Sequence, residues 1–330
     1  MTDYSVISSR VRLARNLSGV KFPSKITPEE VSVVEKAARA AAKEVFDTPR
    51  FYRIADLDAA ERAYLVEGHY ISPMLLESPF ASLILSEDGK QSVMLEEEDH
   101  IRSQCIESGL ALEGCFEKVK EYDFALRGKA RLAYDKQLGF LTACPTNVGT
   151  GMRASVMMFL PAISAMGKIE DLEEELKSAN LTIRGALGEG SKGEGYCYQI
   201  SNAVSLGVTE ETILNRVGTA AGRIKETEGK MLDLYYQRNR LQLEDSVARS
   251  YALLCSAKLL PQQELESLLV NVKIGIMLGL ITINTVNLDE LALLCKPSSL
   301  IRLTKCSGDR TELDATRAET VRKAITKKEK

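Results

Sequence analysis

Four stretches of the sequence concentrate side chains able to bind a phosphate or move a proton. Ser8-Ser9-Arg10-Val11-Arg12 spaces two guanidinium groups at alternate positions, so in a strand both share one face. Paired forks suit multidentate recognition of phosphate oxygens, although an isolated R-x-R is more often a plain surface feature. Glu96-Glu97-Glu98-Asp99, followed by His100 and Arg102, crowds acids whose like charges disfavour one another's ionised forms. A bare acidic run is ordinarily a solvated loop. Flanked by apolar stretches, one or two of these acids can instead face a cleft and hold a cation or take a proton. Cys144-Pro145-Thr146-Asn147-Val148-Gly149-Thr150-Gly151-Met152-Arg153 ends one strand with a thiol and opens the next with an arginine. Such a turn presents backbone N–H groups to anions, while its plainer reading is a tight hairpin beside an inert thiol. Residues 181–195 run a strand into five glycines within eleven positions, with Arg184 at the entrance and Glu189 inside. Ser191-Lys192 reverses the order a P-loop needs, so a mobile lid is expected instead.

Together these stretches hold Arg10, Arg12, Arg102, Arg153 and Arg184, enough cations to neutralise a triphosphate. Glu97, Glu98 and Glu189, with the thiol of Cys144, could grip a cationic acceptor. The combination points to phosphoryl transfer onto a positively charged nucleophile. With only His69 and His100 in 330 residues, a histidine triad or metal cage is a poor alternative. His69 is read as a packed or solvated residue without a role, and His100 as orienting the acids or serving structure. Cys105, Cys115, Cys197, Cys255, Cys295 and Cys306 read as core or surface thiols.

These residues need a scaffold, and the sequence predicts an α+β one. Thr27-Pro28-Glu29-Glu30 carries the signature of a helix start, with a capping residue, a proline at the first helical position and a returning glutamate. Short apolar runs at 81–85, 92–95, 139–143, 154–160, 181–183 and 196–200 predict strands, and 100–126 and 163–178 predict helices. From about residue 209 the texture becomes helical, over 210–226, 231–259, 262–278, 288–294 and 311–328. We therefore expect a catalytic domain over 1–228 and an all-α domain over 229–330. Length and a 45% hydrophobic content support a sizeable core. A net charge of -3 argues against a nucleic-acid binder acting by bulk charge. No apolar run is long enough for a membrane span and no signal pattern opens the chain. Seven irregularly spaced cysteines fit reduced thiols in the cytoplasm.

In this order, the four motifs resemble those of the ATP:guanido phosphotransferase (phosphagen kinase) family. Residues 7–12 resemble its first arginine motif, Glu96 to His100 its acidic signature, Cys144 to Arg153 its CPTN-x-GT segment, and Ile183-Arg184-Gly185 with Gly188-Glu189 its lid. The likeness is greatest to the bacterial protein-arginine kinase (McsB) type and spans essentially the whole chain, supported by Gly188-Glu189-Gly190-Ser191, by Gln199-Ile200-Ser201-Asn202 and by Gln242 to Ser246 with Arg249-Ser250-Tyr251. It implies a mainly antiparallel sheet flanked by helices, followed by a smaller all-α domain for dimerisation or regulation. It also implies ATP with Mg2+, the arginines holding the phosphates and the metal carried by phosphates and water. Glu98 would orient the acceptor guanidinium and take its proton, Glu189 would clamp its other edge, Cys144 would lie against it as a thiolate, and Glu97 would act through metal-bound water.

The implied activity is phosphorylation of arginine side chains in proteins, in a cytoplasmic homodimer acting in stress response and marking proteins for Clp-type proteolysis. The implied partners are proteins with exposed arginines, a zinc-binding activator, a heat-shock repressor and a Clp-type ATPase. A kinase for free arginine or another small guanidine, and a non-catalytic adaptor, are the alternatives. The first arginine motif begins at residue 7, so the helical domain that precedes it in small-guanidine kinases is expected to be missing, and the leader is expected to be truncated or mis-started. Two other departures stand out. Glu96 replaces an expected Asn, adding a negative charge near the site. Leu313 replaces the first arginine of an R-D-x-x-R-A phosphoarginine-docking motif, leaving Asp314 and Arg317 as a degenerate remnant.

Overall fold

The structure is a computed structural model describing residues 4–185, 194–283, 286–306 and 308–326. Its first elements are β1 (Val6–Arg15), α1 (Pro28–Val45), β2 (Arg50–Arg53), α2 (Ala59–Glu67), β3 (Ser82–Leu85), β4 (Gln91–Leu95) and β5 (Ile101–Ser108). There follow α3 (Leu112–Arg127), the hairpin β6 (Tyr134–Asp135) and β7 (Gly139–Phe140), β8 (Met152–Phe159), α4 (Pro161–Ala165), α5 (Ile169–Ser178), β9 (Leu181–Gly185) and β10 (Cys197–Asn202). The rest is helical: α6 (Glu210–Arg238), α7 (Arg240–Ser256), α8 (Gln262–Met277), α9 (Leu288–Leu294), α10 (Pro297–Thr304) and α11 (Arg310–Thr326).

Eight strands form one antiparallel sheet in the order β2-β3-β4-β5-β1-β8-β10-β9. Alternation along the strands sends one set of side chains to a packed face. Val11, Leu13, Cys105, Ala154, Val156 and Ile200 are buried there against residues of α3 and α6, such as Cys115, Val119, Val217 and Ala221. α1 covers the other half of this face, with Val34 and Ala38 against Val93 and Leu95. It starts as expected: Thr27 Oγ1 accepts from the backbone N–H of Glu30, whose carboxylate accepts from that of Thr27.

The helical region has its own core, Leu254, Leu265, Leu269, Val272, Leu291 and Val321 among others, continuous with Tyr4, Phe159 and Ala162 from the first part. Three expectations are corrected. Residues 100–126 are not one helix: strand β5 runs first, and Gly109, at φ +70°, turns the chain into α3. Residues 163–178 break at Gly167, also left-handed, into α4 and α5. α6 runs without a break through the place where a boundary was expected, because Glu228 is fully buried there and accepts from the N–H groups of Ala162 (2.7 Å) and Ile163 (3.0 Å). Among the described residues no helix is long and apolar enough to cross a membrane.

Candidate active site

Strand register gathers the arginines. On β1, Arg10 and Arg12 lie opposite Ser155 and Arg153 of β8, and Arg12 lies opposite Gln104 of β5 on its other side. Arg102 pairs with Ala14, two residues on from Arg12, and Arg184 of β9 pairs with Gln199, which in turn pairs with Met157 of β8. Directly paired residues share a face and the period is two, so all five guanidinium groups stand on the face turned away from α1, α3 and α6. Arg15 shows the rule by exception. Three residues beyond Arg12, it turns to the packed face, where it is 2% exposed, bonds Asp123 at 2.6 Å and lies 3.6 Å from the centre of the Phe140 ring.

Crowding leaves its mark on the cluster. Burial, then Arg102 and Arg153, bring the Arg10 guanidinium down to about 10. Arg12 is pushed well below its usual value by burial and by Arg10, Arg102 and Arg153, with Glu97 the opposing influence. The buried Nε atoms of Arg10 and Arg102 have no hydrogen-bond partner. Crowded, half-buried cations with idle buried donors are a poor arrangement for stability and a ready one for a polyanion, so the residues present fit a nucleotide triphosphate.

The acids occupy the turn from β4 to β5, and they diverge. Glu97 pairs with Arg102. Glu98 is exposed; partial burial of its carboxyl, then Asp99 and Glu97, raise it above the usual range against the opposing pull of Arg102 and of the nearby Cys144 thiol. Asp99 is buried and accepts from Asn16 Nδ2 at 2.6 Å and from the backbone N–H of Ala143 at 2.7 Å, tying the cysteine loop to the acidic turn. His100 completes the tie. Its Nδ1 accepts from the N–H of Leu17 (3.0 Å) and its Nε2 bonds the carbonyl of Lys21 (2.6 Å), so its role is to frame the turn.

Glu96 resolves the question its sequence raised. Its backbone is left-handed, at φ +59°, and its side chain is 1% exposed with neither carboxylate oxygen hydrogen-bonded. Burial, with Glu35 of α1 nearby, lifts it to about 8. It is therefore mostly protonated at neutral pH and adds little charge to the cluster.

Cys144 is half-buried, with Sγ 3.0 Å from Thr146 Oγ1. Two glycines let its loop pack closely. A Cβ on Gly149 would lie 2.3 Å from the carbonyl oxygen of Ser205, and one on Gly151 2.6 Å from Arg15 Nη1. A cleft lined by Thr146, Asn147, Arg153, Thr182, Arg184 and Asn202 runs from this loop onto the arginine face. Among the described residues no group of three or more His, Cys, Asp or Glu could hold a metal ion by itself.

Glu189 and the lid segment Gly188 to Ser191 lie outside the described residues. Asp314 and Arg317 stand apart from this site, in α11. Arg317 is 2% exposed, and its guanidinium is engaged by the carbonyls of Cys295 (3.0 Å) and Leu260 (2.8 Å) and by Asp314 (2.6 Å), an internal cross-link of the helical core. Sequence reasoning missed three contributors. His69, left-handed at φ +59°, sits near enough to Arg10 to feel its charge, and burial together with that charge lowers its pKa. Ser72 donates to Glu97. β10 adds Ser201, which accepts from Arg153 Nη2 at 3.2 Å, and Gln199, which donates to Ser155 at 3.1 Å. Only β10 carried a signal, the run Gln199 to Asn202.

This geometry joins a cationic face suited to phosphates to an edge with an exposed carboxylate and a thiol, the arrangement needed to set a cationic nucleophile against a terminal phosphoryl group. The family model described as ATP:guanido phosphotransferase, C-terminal catalytic domain, matches residues 31–231, and that of the protein-arginine kinase McsB C-terminal domain matches residues 240–330. The chain is 38% identical over 325 residues to the protein-arginine kinase of Bacillus subtilis (strain 168), covering 97% of this chain and 90% of that protein. It is 36% identical over 329 residues to that of Caldanaerobacter subterraneus subsp. tengcongensis, covering 98% of each. Among solved structures, lombricine kinase superposes with a TM-score of 0.61 at 23% identity, over 69% of this chain and 67% of that one. The duplicated taurocyamine kinase from Schistosoma mansoni with bound transition state analog components gives 0.62 at 22% identity, over 80% of this chain and 40% of that one.

Proposed function

The chain belongs to the ATP:guanido phosphotransferase family, and from that premise we propose that it is a protein-arginine kinase, moving the γ-phosphoryl group of MgATP onto arginine side chains. The observation that carries the reading is the register that sets Arg10, Arg12, Arg102, Arg153 and Arg184 on one face, with Glu98 and Cys144 near one another at its edge. MgATP, when bound, supplies the electrophilic phosphoryl group, with the metal carried chiefly by phosphates and water.

The chain's own groups do the rest. The arginines hold and screen the phosphate oxygens, which in a loose transition state is most of what catalysis asks of a protein. An arginine acceptor is protonated at neutral pH and is no nucleophile until a base takes a proton from it. Glu98 is that base. Its raised proton affinity suits the task, and its exposure leaves it reachable by an incoming side chain. With MgATP and an acceptor bound, Cys144 would lie against the guanidinium beside Glu98, Glu97 would act through a water on the metal, and Glu189 is assigned by resemblance to the acceptor's other edge.

The same reading extends, by resemblance, to a cytoplasmic homodimer acting in stress response, with a zinc-binding activator, a heat-shock repressor and a Clp-type ATPase as partners. It keeps a catalytic unit followed by a helical unit for dimerisation or regulation, with the seam at Asn239, where α6 ends, rather than at residue 228. Mass spectrometry after incubation with MgATP and either casein or free arginine tests it. Phosphoarginine on casein is the expected result. Phosphate on free arginine alone would make this a small-guanidine kinase, and none on either would leave the adaptor.

A further inference from the structure

We propose that Ser72 is a positioning residue for Glu97, holding that carboxylate in place when Arg102 turns to the nucleotide; this rests on the kinase reading above. The Glu97 side chain is 2% exposed, so its orientation is set by protein partners rather than by water. It has two. Arg102 Nη1 pairs with Oε2, and the Ser72 hydroxyl donates to Oε1.

These partners are not equivalent. Arg102 stands in the phosphate-binding row with an idle Nε, so a bound polyanion competes with Glu97 for it. Ser72 has no such second duty. Its oxygen accepts from the N–H of Leu75 at 3.3 Å, which leaves its proton for the carboxylate. Its segment is pinned to the strands beneath. Gln104 Nε2 donates to the carbonyl of His69 (2.8 Å), Ser92 Oγ donates to that of Tyr70 (2.8 Å), and Ile71 and Leu75 are buried on either side. Glu67, at the end of α2, accepts from the N–H of Ser298 in α10 at 3.1 Å and anchors the other end. A hydroxyl so fixed sets where one carboxylate oxygen lies, whatever Arg102 is doing.

The test uses the full chain and calorimetric binding of ATP with Mg2+ or with EDTA, alongside phosphoarginine formation. Ser72→Ala should bind ATP in EDTA as the wild type does. Its Mg2+-dependent gain in affinity should fall by roughly tenfold, the effect of one charge-assisted hydrogen bond. Ser72→Thr, which keeps the hydroxyl, should restore it, and Ser72→Ala with Glu97→Gln should be no worse than Glu97→Gln alone. Should the alanine variant not fold, Ser72→Cys, near in size but a weak donor, should show the same loss. An unchanged Mg2+ gain, or losses that simply add in the double variant, overturns the proposal. The binding arm stands apart from turnover, so a wild type that binds MgATP yet makes no phosphoarginine removes the kinase reading while Ser72 is still judged.

Discussion

Replacing Glu96 by glutamine should remove a pH dependence built into the fold. Glu96 is buried with both carboxylate oxygens unpartnered, and its pKa rises from 4.5 in the unfolded chain to about 8 in the folded one. Because the folded value is the higher, the folded protein keeps a proton that the unfolded chain releases. The associated stability is present in full below about pH 4.5 and drains away as the pH climbs to about 8. At ~1.4 kcal/mol per pH unit, the wild type should lose roughly 3 kcal/mol between about pH 5.5 and pH 8.5 from this group. Glu96→Gln keeps the volume and cannot titrate. Its buried amide costs about 1–3 kcal/mol at every pH. The variant should therefore be the weaker protein at the acid end and draw level with or pass the wild type at the alkaline end. Urea unfolding followed by circular dichroism at four pH values measures the difference, and His69 and His100 titrate equally in both chains. If the two unfolding curves keep a constant separation across that range, Glu96 is solvated and the argument fails.

Glu98→Ala should abolish phosphoarginine formation while ATP affinity, measured by calorimetry, stays within about twofold; ordinary turnover would exclude Glu98 as the base. Arg10→Met removes one charge from a cluster whose members repel, so the nucleotide-free protein should gain up to roughly 1 kcal/mol in urea while ATP binding weakens at least tenfold. A variant that loses both stability and binding would mean that Arg10 is structural. Asp123→Ala strands the buried Arg15 guanidinium and should cost about 3–5 kcal/mol, readable as a lowered urea midpoint; a change under about 1 kcal/mol would contradict the ion pair.

Much of the site was legible because chemistry and period coincide in the motifs. Two arginines at alternate positions of a strand must share a face, and Arg15, three residues beyond Arg12, must leave it. Arg102 was harder. Its strand is followed within a few residues by α3, and apolar residues at 101, 105, 112, 115 and 119 satisfy a helical period well enough to hide the turn at Gly109. His69 and Ser72 carry no local signal. Their roles come from hydrogen bonds that strands β4 and β5 make to the carbonyls of His69 and Tyr70. Glu96 misled for the opposite reason, since its type promised a charge at the site and a left-handed backbone turned it under α1.

α6 spans 29 residues, about 44 Å of uninterrupted rod, with Glu228 pinning its middle to the start of α4. Its N-terminal half belongs to the sheet's packed face and its C-terminal half to the helical core, through Val217 and Ala221 at one end and Leu232 at the other. Scissors applied at residue 229 would leave each fragment a frayed half-rod and an uncovered greasy stripe. A dissection of the polypeptide has its natural seam ten residues further on, at Asn239, where the backbone itself lets go of the helix.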